Sequence, residues 1–143
     1  MIKHASVHEA HQRQQSGDTY VDVRSVPEFA QGHPSGALNV PLLHADERTR
    51  QMQPNAEFVA VMRANFKPDA PLLIGCQAGV RSLHACQALE AAGFTNLTNV
   101  LGGYAGSRMG DAGWAQAGLP VETSTPEGHD YASLQDTARR TAE

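Results

Sequence analysis

The sequence predicts an α/β domain: a central, mostly parallel sheet with helices on both of its sides. Three observations lead there. Short β-branched or apolar runs alternate with segments of helical periodicity, the order from which parallel sheets are built. Pro71-Leu72-Leu73-Ile74-Gly75-Cys76 is apolar throughout and bounded by turn residues, as expected of a strand covered on both faces. With 143 residues, 41% of them hydrophobic and 18% charged, the chain has material for one core and little more.

The elements follow in order. Ser6-Val7-His8-Glu9 reads as a capping box, and Gly17 closes the helix it opens. Thr19-Tyr20-Val21-Asp22-Val23 is β-branched and predicts a buried strand ending at Arg24. A brief helix around Pro27 to Gln31 precedes a loop, Gly32-His33-Pro34-Ser35-Gly36. Ala37 to Pro41 is too short for a helix and suits a small strand. From Asn55 to Phe66, the residues Phe58, Val59, Val61, Met62 and Phe66 recur at helical spacing, with Asn55 as cap. After the apolar run, Ser82 to Ala92 predicts a helix stopped by Gly93, and Asn96 to Val100 a further strand before Gly102-Gly103. Residues 1–123 are expected to form the domain. Residues 124–143, rich in Ser, Thr and Glu, form a tail that is either mobile or one short helix docked by Tyr131 and Leu134.

Composition excludes several function classes. A net charge of -4 argues against a nucleic-acid binder, and Arg139-Arg140 reads as solvated surface. The N-terminus has no apolar stretch of signal-peptide length and no segment is long enough to span a bilayer, so a cytoplasmic protein with no membrane partner is expected. In such a compartment the two cysteines are expected to stay reduced. His4, His8 and His11 have i, i+4, i+7 spacing, but no cysteine or carboxylate set completes a metal site, and no metal or other cofactor is expected.

The chemistry concentrates in Cys76-Gln77-Ala78-Gly79-Val80-Arg81-Ser82. This stretch follows a buried strand and opens a helix, the place where open α/β sheets bind ligands. The helix's positive end and the converging N–H groups of a tight loop both favour thiolate over thiol. Gly79 permits the tight turn, and Arg81 offers a positive charge at its rim. Cys86 falls near Leu83 and Leu89 on one helical face and reads as a core thiol. Asp22 and Arg24 end a strand; Arg24 is expected to pair with Glu28, and Asp22 to order nearby loop amides.

From about Ser6 to Val121 the chain resembles the rhodanese homology family. Asp22-Val23-Arg24 with Glu28-Phe29 is similar to its first signature, and Gly32-His33-Pro34-Ser35-Gly36-Ala37-Leu38-Asn39-Val40-Pro41 to its second. Cys76 to Ser82 resembles the active loop in its C-x-x-G-x-R-S form. Ala92-Gly93-Phe94 and Leu101-Gly102-Gly103-Tyr104 resemble the helix end and glycine turn that follow. The resemblance implies a rhodanese-like three-layer fold and a sulfurtransferase. In it Cys76 becomes a persulfide, and the amides of Gln77, Ala78, Gly79, Val80 and Arg81 cradle the outer sulfur. The partners implied are a small-molecule sulfur donor (thiosulfate, polysulfide or a persulfide) and a thiol, cyanide or protein acceptor.

Two alternatives compete with that reading. Phosphatase or arsenate reductase chemistry needs five residues between cysteine and arginine, whereas four separate Cys76 from Arg81. A persulfide carrier or recognition module would keep the fold without turnover. Family members specialised for thiosulfate tend to carry cations directly after the cysteine; Gln77 and Ala78 are neutral here, which predicts weak thiosulfate use. Many members also reach a tryptophan soon after the glycine turn. Here Trp114 comes later, so residues 106–113 read as an insertion from which Arg108 could reach the site.

Overall fold

The computed structural model describes residues 1–142. Its elements are β1 (Lys3–Ala5), α1 (Val7–Gln15), β2 (Thr19–Asp22), α2 (Val26–Gln31), β3 (His33–Pro34), β4 (Leu38–Asn39), β5 (Leu43–Ala45), β6 (Met52–Pro54), α3 (Phe58–Asn65), β7 (Leu72–Gly75), α4 (Val80–Ala91), β8 (Leu97–Val100), β9 (Val121–Glu122) and α5 (Tyr131–Ala142). Five strands form one sheet in the order β1-β8-β7-β2-β4, and every neighbouring pair is parallel. The predicted α/β class is the observed one.

Alternation along the central strands divides the core into two layers. Val21, Leu72, Ile74 and Leu97 face α3, α4 and α5, where they meet Phe58, Val61, Met62, Ala85, Leu89 and Leu134. Tyr20, Leu73 and Val100 face the opposite way, onto Val7 and Ala10 of α1, Phe29 of α2 and Trp114. The capping box predicted at Ser6 and Glu9 is present, and a second one, Ser25 with Glu28, starts α2. The cap of α3 is Glu57 rather than the predicted Asn55, and no side chain caps the helix's first N–H groups; Asn55 stands two residues earlier, its Oδ1 accepting from the Glu57 N–H at 3.0 Å.

Five short strands have no counterpart in the sequence expectations. β1 is a three-residue edge strand, β5 and β6 form a small antiparallel hairpin, and β3 pairs antiparallel with β9. All are short and largely polar or exposed, so no period-2 pattern marks them. Residues 131–142 form a helix, and Tyr131 and Leu134 bury their side chains in the core beside α3. Asn55 Nδ2 donates to the Tyr131 hydroxyl at 3.0 Å, and Asn65 Nδ2 to the Leu134 carbonyl at 2.9 Å, so two α3-side asparagines hold this helix.

The segment read as an insertion, 106–113, folds on itself. Ser107 Oγ donates to Asp111 Oδ2 at 2.7 Å and accepts from the Asp111 N–H at 3.0 Å. The chain then returns to the core with Trp114, which is fully buried, packs edge-on to Tyr20 and donates its Nε1–H to the Pro120 carbonyl at 2.7 Å. Among the described residues no helix is long and apolar enough to cross a membrane.

Candidate active site

β7 is apolar because both its faces are covered, and it delivers Cys76 to the carboxyl edge of the sheet at the sheet's centre. The chain must then turn within a few residues into α4. Gly79 makes that turn with φ of 93°, and a Cβ there would stand 2.5 Å from the Leu101 carbonyl oxygen. Only glycine meets both conditions. As a result α4 starts at Val80, two residues before the predicted Ser82, and its N-terminal N–H groups face the cysteine loop. The Gly79 N–H already donates to Cys76 Sγ at 3.1 Å.

The loop is held from behind by the glycine turn after β8. Tyr104 N–H donates to the Cys76 carbonyl at 2.7 Å, and Ala105 N–H to the Gln77 carbonyl at 2.9 Å. Anchoring these carbonyls away from the mouth fixes the loop's backbone without using any of its own N–H groups. Gly103, with φ of 58°, allows the approach: a Cβ on it would come within 2.5 Å of the Cys76 oxygen. The family resemblance extends over this turn, but nothing in its residues announces that it is the rear wall of the loop.

The charged residues pair differently from the sequence expectation. Arg24 does not reach Glu28. Its Nε and Nη2 bind both oxygens of Asp22, Nη2 also donates to the Gly32 carbonyl, and the guanidinium lies over the Tyr104 ring at 4.3 Å. Arg24 is 2% exposed and Asp22 1%, so each buried charge needs its partner at once, two residues away. Glu28 instead takes Arg81 in a two-pronged pair, Nη1 to Oε1 at 2.7 Å and Nη2 to Oε2 at 2.9 Å. The Arg81 hydrogen bonds, helped by Ser25, hold the Glu28 carboxyl down at about 2. Arg81, expected to offer a positive charge at the loop's rim, has that charge already answered by Glu28.

Gln77 Oε1 accepts from Arg24 Nη1 at 3.3 Å, and a cavity of about 320 Å³ opens there, lined by Arg24, Glu28, Gln31, Gly32, Gln77 and Tyr104. Val80 is 63% exposed, whereas Ala78 is half-buried. Ser82 points inward, 3.3 Å from Cys76 Sγ. Arg108 is exposed in the 106–113 turn. Cys86 is enclosed in the α4 layer, where burial pushes its thiol up to about 12. His4 lies in β1 whereas His8 and His11 lie in α1, so their spacing does not place three rings on one helix; no group of metal-binding side chains occurs among the described residues.

Comparison with known proteins places this arrangement. Residues 6–108 match the family model described as Rhodanese-like domain, ending inside the 106–113 turn. Thiosulfate sulfurtransferase 16, chloroplastic, of Arabidopsis thaliana is 37% identical over 117 residues, which cover 82% of this chain and 90% of that protein. Senescence-associated protein DIN1 of Raphanus sativus is 38% identical over 108 residues, 76% of this chain but only 54% of that protein. The crystal structure of Rv0390 from M. tuberculosis superposes with a TM-score of 0.71 at 25% identity, covering 85% of this chain and 98% of that one.

Proposed function

This chain belongs to the rhodanese-like domain family, and from that premise we propose that it transfers sulfane sulfur through a persulfide on Cys76. The observation that carries the reading is the seat of Cys76 Sγ, at the end of a central strand, facing the head of α4 and accepting from the Gly79 N–H. A persulfide is an anion, and what it needs nearby is N–H donors with no competing acceptor. The amides of residues 77–81 are suited to that load.

The reaction is a double displacement without net redox change. The Cys76 thiolate attacks the outer sulfur of the donor; the new Sγ–S bond forms as the donor's S–S bond breaks, and the electron pair leaves with the donor remainder. An acceptor thiolate or cyanide then attacks the outer sulfur, and the pair of the Sγ–S bond returns to Cys76. No metal or organic cofactor enters either step. The loop is also one residue shorter than a phosphatase cradle, which keeps the reading on sulfur rather than phosphate.

The donor we favour is a persulfide or polysulfide rather than thiosulfate. Gln77 and Ala78 are neutral, Arg24 is committed to Asp22 and Arg81 to Glu28, so no unpaired loop cation awaits a sulfonate. Two free thiols suit a reducing, cytoplasmic setting. The test is intact mass spectrometry after exposure to glutathione persulfide, polysulfide and thiosulfate. The expected result is a gain of one sulfur atom, fastest with the persulfide, reversed by added thiol and absent in Cys76→Ser. A sulfur adduct that persists in Cys76→Ser sinks the assignment. An adduct on Cys76 that thiols cannot remove leaves storage rather than transfer.

A further inference from the structure

Behind Cys76 runs a line of buried polar side chains that sulfur transfer as written above does not use. Ser82, in the first turn of α4, and Asn99, in β8, are both closed to solvent. Ser82 Oγ lies 3.3 Å from Cys76 Sγ and 2.6 Å from Asn99 Oδ1. A hydroxyl has one hydrogen, and an amide oxygen can only accept. That hydrogen is therefore committed to Asn99, and what Ser82 turns toward the sulfur is a lone pair.

The orientation of the Asn99 amide decides this. Its Nδ2 lies 3.4 Å from Nδ1 of His4, its register partner across β1 and β8, and an unprotonated ring nitrogen accepts from it. With Nδ2 on His4, Oδ1 faces Ser82. Were the amide turned over, Nδ2 would donate to Ser82 and release the hydroxyl hydrogen toward Cys76.

We propose that Asn99 is a positioning residue that makes Ser82 a proton acceptor for the resting Cys76 thiol and so restrains the nucleophile while it is empty. The inference rests on Cys76 being the reacting group of the proposed transfer. Two groups then act on the same sulfur in opposite senses: the Gly79 N–H donates to it and favours thiolate, while Ser82 accepts and favours thiol. When the thiol gives up its proton to base, Ser82 can serve the thiolate only by rotating, which strands the buried Asn99 oxygen without a donor. Once sulfur is loaded, the charge sits on the outer sulfur and Sγ carries neither hydrogen nor charge. Ser82 can then stay on Asn99, and the restraint falls away in the loaded state.

The experiment is the pH dependence of Cys76 alkylation by iodoacetamide, followed on its peptide in wild type, Asn99→Ala, Ser82→Ala and the double variant. Asn99→Ala should move the midpoint down by about half to one pH unit, or roughly three- to tenfold faster alkylation below it, the effect of one hydrogen bond. In the Ser82→Ala background the same change should move nothing, because its route to the sulfur is gone. An unmoved midpoint in Asn99→Ala, or an equal shift with and without Ser82, overturns the proposal. Should Asn99→Ala not fold, Asn99→Asp keeps the accepting oxygen and adds charge. It should raise the midpoint, and by less in Ser82→Ala; a fall, or an equal rise in both backgrounds, overturns the proposal as well. Alkylation needs no sulfur donor, so a chain that shows these shifts yet never takes up sulfur sinks the transfer reading alone.

Discussion

Cys76 and Cys86 lie ten positions apart, both are free, and both are shut in: 2% and 0% exposed. By burial alone they are the same kind of residue. Their surroundings differ in one respect. Cys86 sits inside α4 among Ala85, Leu89 and Phe94, where backbone N–H groups are spent on the helix, and its thiol is pushed up to about 12 by burial, by Cys76 and by Glu90. Cys76 sits before the helix starts, where N–H groups are still unspent, and one of them already reaches its sulfur. On the proposed reading, the donors around a cysteine make it the nucleophile, and exposure is a poor guide to which one it is.

The largest effect is expected at Cys76 itself. Cys76→Ser keeps the shape and removes the sulfur, so persulfide formation and sulfur transfer to a thiol should be abolished. The melting temperature should stay within a few degrees of wild type. Undiminished transfer in that variant, measured by thiol persulfide release, would mean the two cysteines have been ranked the wrong way round.

The donors around Cys76 depend on the turn behind it. Gly103→Ala puts a methyl group 2.5 Å from the Cys76 carbonyl oxygen at a φ of 58°, so the loop must move. We expect at least a tenfold loss of transfer and a cost of about 2 kcal/mol or more in urea unfolding. Cys86, midway along α4, should react with thiol reagents as slowly as it does in wild type. Normal transfer by Gly103→Ala would show that the rear wall does not hold the loop.

Ala78→Lys should lower the Michaelis constant for thiosulfate several-fold, with the gain shrinking at high salt because the added charge is exposed. Glu28→Gln should act in the same direction by releasing Arg81. Arg108→Ala should change little, since Arg108 lies exposed in its own turn. Tight thiosulfate use by the wild type, indifferent to all three changes, would end the donor argument.

The Glu28–Arg81 pair also gives a smaller, acid-dependent effect. Glu28 is held at about 2 against an ordinary 4.5, so the folded state prefers it ionised. Its contribution to stability is fully present above 4.5 and is lost as pH falls toward 2. The difference in melting temperature between wild type and Glu28→Gln should therefore shrink across that window. A constant difference through it would show that the pair is only a surface contact.

Much of this was legible in the sequence because the signals were local. The β7 run, the Ser6–Glu9 box and the spacing of Phe58, Val61 and Met62 each carry their own period or cap, and each formed the element it predicts. The position of Cys76 between a covered strand and a glycine turn was equally local. What could not be read were pairings settled at a distance. Nothing near Arg24 says that its guanidinium will turn back on Asp22, or that Glu28 will meet Arg81 from 53 positions away. A capping box starting at Ser25 was the one available hint, because it fixes the side of α2 on which Glu28 stands. Likewise Asn99 looks like any polar strand residue until β8 is laid beside α4.

Cys86 has no role in the proposed transfer: its sulfur lies in the apolar layer formed by α3, α4 and β8, and ionising it there is opposed by burial. Cys86→Ala removes one sulfur atom from a packed site, and the helix gains a residue of higher propensity in return. We expect transfer to stay near the wild-type rate and stability to fall by about 1–2 kcal/mol, read from urea unfolding. In wild type, thiol reagents should modify Cys76 well before Cys86, and Cys86 should react only as fast as the fold opens. Denaturant below the unfolding midpoint should then accelerate Cys86 labelling steeply and Cys76 labelling little. If Cys86 instead labels as fast as Cys76 in the native protein, or its loss stops turnover, the helix interior is no shield and the second thiol belongs in the mechanism.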